Sequence, residues 1–180
     1  MTKSGNTAAY VLRLTLTLFV ITAVVAGLLG FVNYMTADTI AAQTAQKAEA
    51  ARRQVLEAEY YEPMDVPEGS GVTEAYRAGE PGYVVRVSPN GFGGAIDMMV
   101  GISADGTVTG VAIVSQSETA SLGANCTRED FRAQFTGRSG TLAVSKDGGE
   151  IDALTGATVT SRAVTQGVNT ALAFVKEVLE

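Results

Sequence analysis

The stretch Ala95-Ile96-Asp97-Met98-Met99-Val100-Gly101-Ile102-Ser103 and its continuation Thr107-Val108-Thr109-Gly110-Val111-Ala112-Ile113-Val114-Ser115 decides the fold. Both runs are apolar and β-branched, and Ala104-Asp105-Gly106 between them is turn chemistry, so the pair reads as a β-hairpin. On the N-terminal side, residues 72–78 and 83–88 read as two more strands around Gly79-Glu80-Pro81-Gly82. On the C-terminal side, Thr127-Arg128-Glu129-Asp130-Phe131 reads as a helix start, with Thr127 as cap and acids in the first turn, stopping at Gly137. Residues 142–145 and 150–154 suggest another hairpin over Lys146-Asp147-Gly148-Gly149. Val164, Val168, Ala171, Leu172, Val175 and Leu179 recur at spacings of three and four, the apolar stripe of a terminal helix. Strands, one short helix and a terminal helix predict a compact α+β domain over residues 72–180, built on an antiparallel sheet.

The chain ahead of this domain has a different character. Lys3 and Arg13 are the only charged side chains before Asp38, leaving residues 14–37 uncharged. At about 1.5 Å per residue the apolar run 14–32 can cross a bilayer core of about 30 Å. Asn33 and Tyr34 follow where an interfacial belt belongs. A cleaved signal peptide is the competing reading, with Val24-Val25-Ala26 as its cleavage site, but apolar residues continue past it to Val32. The expected organisation is a cytoplasmic N-terminus at residues 1–13, a single span at 14–37 and a stalk and linker at 38–71. Residues 38–60 are Ala-rich with mixed charges and end before Pro63, which suits a helical stalk, with a flexible tether as the alternative. Residues 64–71 are turn and linker chemistry. Basic residues without an acid on the N-terminal flank keep that flank in the cytoplasm, and all 19 acidic residues lie beyond the span. The domain is then extracytoplasmic, in a cell inner or plasma membrane.

Composition narrows the chemistry. The 180 residues suit one domain with attachments, and the net charge of −6 without a basic cluster argues against nucleic acid. No histidine is present, which excludes Ser-His-Asp and Cys-His sites, His-ligated zinc and His-ligated haem. The single cysteine, Cys126, excludes an internal disulfide, a CxxC redox pair and a self-contained iron–sulfur site. Any redox chemistry must therefore come from a borrowed organic cofactor, and no metal site is expected.

The candidate site lies where the last helix opens. Asp152-Ala153-Leu154-Thr155-Gly156-Ala157-Thr158-Val159-Thr160-Ser161 runs from a strand through a glycine turn into that helix. Helix N-termini present unpaired N–H groups and a positive dipole end, which suit a phosphate. Thr158, Thr160 and Ser161 could add hydroxyl donors and Arg162 a charge, although helix capping is the simpler use of such residues. Two further stretches stand out, Ser117-Glu118-Thr119 with Leu122-Gly123, and Asn90-Gly91-Phe92-Gly93-Gly94, whose glycines permit close backbone approach. An ordinary loop and a hairpin turn are the plain readings of these. Neither a dinucleotide fingerprint nor a P-loop is present, since Ile96 takes the last glycine position of GxGxxG and no Gly-Lys-Ser/Thr occurs.

On these motifs, together with the N-terminal span and Arg53-Gln54-Val55-Leu56, the sequence resembles the RnfG family, the FMN-binding G subunits of Rnf electron-transport complexes. That family is related to the C subunit of the sodium-pumping NADH:quinone reductase. Residues 152–158 match Asp-x-x-Ser/Thr-Gly-Ala-Thr, the pattern at which flavin transferases attach FMN through a phosphoester to the final threonine. The resemblance implies covalent FMN on Thr158, within a site that includes Asp152, Leu154, Thr155, Gly156, Ala157, Thr160, Ser161, Glu118, Thr119, Leu122, Gly123 and Gly93. It implies ring or ribityl contacts for Glu118 and Thr119, with Leu122 as an apolar neighbour; a structural role is the alternative for each. It further implies an electron-relay component of a ferredoxin:NAD oxidoreductase complex coupled to ion translocation, beside a second covalently flavinylated subunit and matured by a flavin transferase. No side chain is then needed as a catalytic residue. Two departures stand out: Ala120 and Ser121 replace the proline and first glycine of the usual Glu-Thr-Pro-Gly-Leu-Gly, and Gln116 stands where a histidine often precedes it. The quinone-reductase relative, another flavin-relay module, and an anchored sensor or binding module are the alternatives.

Overall fold

The computed structural model describes residues 4–80 and 82–179. Lys3, used above for orientation, and Pro81, expected in a turn, lie outside the described residues. The chain divides into two units, Met1–Thr44 and Ala45–Glu180.

The first unit is helical throughout its described residues, within helix α1 (Ser4–Val55). Leu14, Phe19, Ile21, Val25, Leu29 and Val32 are each more than half exposed, so the helix is greasy on every side rather than along one stripe. A helix of this kind belongs in a bilayer. Three of its hydroxyls bond back within the helix, which suits hydrocarbon: Thr17 donates to the Arg13 carbonyl (2.8 Å), Thr22 to Leu18 (3.0 Å) and Thr36 to Val32 (2.9 Å).

The second unit begins with the last turns of α1 and continues as a five-stranded antiparallel meander. The strands are β1 (Glu62–Met64), β2 (Val72–Arg77), β3 (Gly82–Val87), β4 (Asp97–Ser103) and β5 (Val108–Ser115), side by side in sequence order. The expected hairpin is present as β4 and β5, with Val100 opposite Val111 and Gly101 opposite Gly110. β1 adds a strand where only turn and linker chemistry was expected. Its Pro63 is tolerated because β1 forms the sheet edge. Arg86 crosses three strands, bonding Glu74 on β2 and Asp97 on β4 at 2.6 Å each, and so pins their register.

Both faces of the sheet are covered, which explains why β4 reads as a continuous apolar run rather than an alternation. Val85, Val87, Met98, Val100 and Ile102 pack with Val164, Val168, Ala171 and Val175 of α3 (Thr158–Leu179). The expected stripe ends sooner than its spacing suggests, since Leu179 is 48% exposed. On the other face Val84, Met99, Ala112 and Val114 pack with Ala48, Ala51 and Val55 of α1. A Cβ on Gly101 would collide with the Val55 carbonyl, so the glycine pair lets the helix end sit directly on the backbone of the sheet. Thr109 Oγ1 donates to that carbonyl at 2.6 Å, and Tyr61 Oη donates to the Leu56 carbonyl at 2.6 Å. Arg52 lies 3.7 Å over the Tyr76 ring. These contacts accompany the end of α1 at Val55, earlier than the expected stalk end at residue 60.

Two local expectations need correction. Thr127 is not a helix cap: its hydroxyl bonds back to the Ala124 carbonyl (2.9 Å) inside a 3₁₀ turn, Gly123–Thr127. The following α2 (Glu129–Arg132) is a single turn that runs into another 3₁₀ turn, Ala133–Phe135. Residues 142–154 do not form a hairpin. Val144 and Ile151 make one parallel bridge around a 3₁₀ turn, Ser145–Asp147, because a left-handed Gly148 (φ +84°) and a Gly149 pressed on the Ala143 backbone close the loop too tightly for paired strands.

Candidate functional site

Three loops meet at the first turn of α3, and the buried carboxylate of Glu118 joins them. Its Oε1 accepts the Gly93 N–H at 2.8 Å and its Oε2 accepts the Thr160 hydroxyl, while the Glu118 N–H donates to Gln116 Oε1 at 2.5 Å. Glu118 is 8% exposed and Thr160 1%. Gly93 and Gly123 are required by this closeness: a Cβ on Gly93 would fall on the Ser117 carbonyl oxygen, and one on Gly123 would strike both Glu118 and Thr160. The loop glycines thus serve the approach of three backbone segments to one carboxylate.

The entry to α3 is a tight turn. Gly156 adopts φ +75°, and the Ala157 N–H returns to the Leu154 carbonyl at 3.0 Å. Ser161 is fully buried; its Oγ accepts the Leu154 N–H (2.9 Å) and donates to the Ala157 carbonyl (3.0 Å), clamping the turn to the helix. Ser161 is therefore occupied as a fastener. Thr158 is different. It is partly exposed, and its Oγ1 accepts a hydrogen bond from Lys146 Nζ at 2.9 Å. Arg162 is engaged elsewhere, gripping Asp147 through two bonds of 2.7 and 2.6 Å and holding the Asp147 carboxyl below the usual range.

A cleft of about 400 Å³ opens at this corner, within the ordinary size range of ligand sites. Glu118, Thr119, Leu122, Gly123, Gly156, Ala157, Thr158 and Thr160 all border it, so most of the expected site residues do converge. Asp152, Leu154 and Thr155 instead border a neighbouring cleft of about 460 Å³, with Leu122 on the ridge between the two. Gln134 holds Asp152 by its backbone, accepting its N–H at 2.7 Å and donating to its carbonyl at 3.3 Å. Gly93 sits behind Glu118. Phe92 and Val159 also line the first cleft, 75% and 49% exposed, and were not singled out from sequence. Phe92 had a signal, an aromatic placed among glycines. Lys146 had none, because the fold alone brings it to a residue twelve positions later.

The chemistry of the cleft is divided. Phe92, Leu122 and Val159 offer apolar surface, and Thr158, whose hydroxyl Lys146 bonds, opens the helix at the same cleft. A flat ring with a phosphate tail fits that division, so the residues present suit a flavin mononucleotide. Among the described residues no group of three metal-ligating side chains comes together. Cys126 is fully buried, and burial, followed by the Glu118 charge, pushes its thiol up to about 11, which leaves it inert.

Comparison with known proteins identifies the family. Residues 91–173 match the model of the FMN-binding domain, and residues 1–55 match that of the RnfG N-terminal region. The chain is 36% identical to the G subunit of the Na(+)-translocating ferredoxin:NAD(+) oxidoreductase complex of Acetobacterium woodii, over 88% of each chain. It is also 36% identical to the G subunit of the ion-translocating oxidoreductase complex of Escherichia coli strain K12, over 81% of each. Among solved structures, the C subunit of the Na(+)-translocating NADH-quinone reductase of Parabacteroides distasonis is 26% identical, with a TM-score of 0.48 over 58% of this chain and 60% of that one.

Proposed function

The chain belongs to the RnfG family, the G subunits of ion-translocating oxidoreductase complexes, and from that premise we propose that it relays electrons through FMN esterified to Thr158. It is a membrane-anchored flavin subunit of a larger complex, with an FMN-binding domain after one long apolar helix. The isoalloxazine ring, when bound, supplies one- and two-electron chemistry, and the protein supplies placement. The absence of histidine is then no obstacle, because no side chain has to act as acid or base.

The observation that carries the ester assignment is the contrast among the three hydroxyls of α3's first turn. Thr160 is buried against Glu118 and Ser161 is buried in the turn, whereas Thr158 Oγ1 lies at the cleft beside an ammonium. Thr158 is also the last residue of the Asp-x-x-Ser/Thr-Gly-Ala-Thr pattern. Maturation would require a flavin transferase, and relay would involve a second flavinylated subunit of the complex. The span is placed at residues 14–37 and the domain outside the cytoplasm, on the basic N-terminal flank.

Intact mass and a peptide map of protein purified from its own membrane test the ester. FMN should appear on the peptide containing Thr158 and vanish in Thr158→Ala. The fold should survive, since a lost cap-type hydroxyl costs about 1 kcal/mol. A map placing the flavin on another residue, or finding none on protein matured with its transferase, would reject the assignment.

A further inference from the structure

A phosphate attached at Thr158 brings negative charge to the start of α3, and that charge calls for a partner. We propose that Lys146 is the counter-cation of that phosphate, holding it during and after loading; this rests on the assignment of Thr158.

Lys146 lies in the 3₁₀ turn Ser145–Asp147, an unusual place for a site residue because the turn belongs to neither the sheet nor α3. The turn is nevertheless held firmly. The left-handed Gly148 closes it, the Ser145 N–H reaches the Ile151 carbonyl at 2.7 Å, and Asp147 is fastened to Arg162, one turn into α3, by two hydrogen bonds. Lys146 is thereby presented to the start of α3 with its Nζ 2.9 Å from Thr158 Oγ1. Asp147 and Arg162 cancel each other's charge, so the positive charge facing the acceptor oxygen is that of Lys146. A phosphodiester at Thr158 would carry one negative charge within the reach of that ammonium. Its three donors on a flexible stem can pass from the ester oxygen to the non-bridging oxygens without moving the backbone.

The loading step gives the same charge a second use. A hydroxyl becomes a phosphodiester only from an activated donor, which for FMN is a flavin dinucleotide. The Thr158 Oγ1–phosphorus bond forms as the donor's phosphoanhydride bond breaks, the hydroxyl proton leaves to the medium, and a nucleoside monophosphate departs. Negative charge gathers on the phosphoryl oxygens during that exchange, beside Lys146. Arg162 could be expected to fill this role on sequence proximity alone, but its guanidinium is taken by Asp147.

The test is the rate of covalent loading, read by intact mass, on the full chain in detergent with a flavin transferase and flavin adenine dinucleotide. Wild type, Lys146→Gln and Lys146→Arg are compared at low salt and at about 1 M salt. An exposed charge pair predicts that Lys146→Gln loads about three- to fivefold more slowly at low salt. Lys146→Arg should load within about twofold of wild type by the same reasoning. At about 1 M salt, where the screening length is about 3 Å, the deficit should shrink toward nothing. Melting temperatures should be unchanged, since Lys146 is exposed. Equal loading of wild type and Lys146→Gln at low salt overturns the proposal, as does a deficit that arginine fails to rescue or that high salt leaves intact. A peptide map with flavin on Thr158 alongside either result refutes only the role of Lys146, whereas flavin found on a different residue refutes the site assignment itself.

Discussion

Replacing Glu118 distinguishes its two candidate roles, as a contact for the flavin or as the fastening of the site. In Glu118→Ala the Gly93 N–H and the Thr160 hydroxyl both lose their acceptor in a place water hardly reaches. Hydrogen bonds to a charged group contribute about 1.5–3 kcal/mol each. Two of them set an upper bound near about 6 kcal/mol, from which the desolvation of the carboxylate must be subtracted. A net loss of about 2–4 kcal/mol is expected, or roughly 6–15 °C in Tm for a domain of this size. Glu118→Gln keeps one acceptor for Gly93 and an amide that Thr160 can meet by turning its hydroxyl, so it should lose only about 1 kcal/mol. The measurement is thermal unfolding followed by the tyrosine near-ultraviolet circular dichroism of the solubilised chain. It is made in a Thr158→Ala background so that flavin contributes nothing to the difference. If Glu118→Ala melts within about 0.5 kcal/mol of its background, the fastening role is wrong and contact with the flavin becomes the reason for a glutamate there.

Ser121 is left-handed (φ +64°) where the family pattern carries glycine, and its side chain is exposed. Ser121→Gly should relieve about 1–2 kcal/mol of strain against about 0.4–1 kcal/mol of added unfolded-state freedom, a net gain of about 0–1.6 kcal/mol. A Tm that rises by about 2–4 °C agrees with this, and one that falls does not. Gly93→Val puts its Cβ on the Ser117 carbonyl, so the loop must move; Tm should drop by at least several degrees and covalent flavin should diminish. Unchanged melting and unchanged loading would mark Gly93 as a tolerant turn residue. Protease added to intact spheroplasts should remove the domain beyond Asp38, and digestion seen only after lysis would reverse the proposed orientation.

Much of this molecule is legible along the chain because the deciding interactions are local or periodic. The apolar run after Arg13 marks a membrane helix, since length and absence of charge are properties of the stretch itself. The β4–β5 hairpin and the α3 stripe are visible for a similar reason, as their periods and turn residues lie within one window. The Asp152–Thr158 pattern carries the resemblance on which the proposed attachment site rests, because its residues are contiguous. Other features arise from residues distant in sequence. The five-strand count needs β1, whose three residues carry no strand pattern and which pairs with β2 while its Met64 packs on the core. The end of α1 at Val55 coincides with Thr109, 54 residues away, donating to its last carbonyl. Glu118 is a fastening of the site only because Gly93, from another loop, and Thr160, from the first turn of α3, reach its carboxylate. The choice of cation at Thr158 is decided in the same way: Arg162 is nearer in sequence, but the folded turn gives Arg162 to Asp147 and leaves Lys146 facing the hydroxyl, because charge pairs by distance in space and not by distance along the chain.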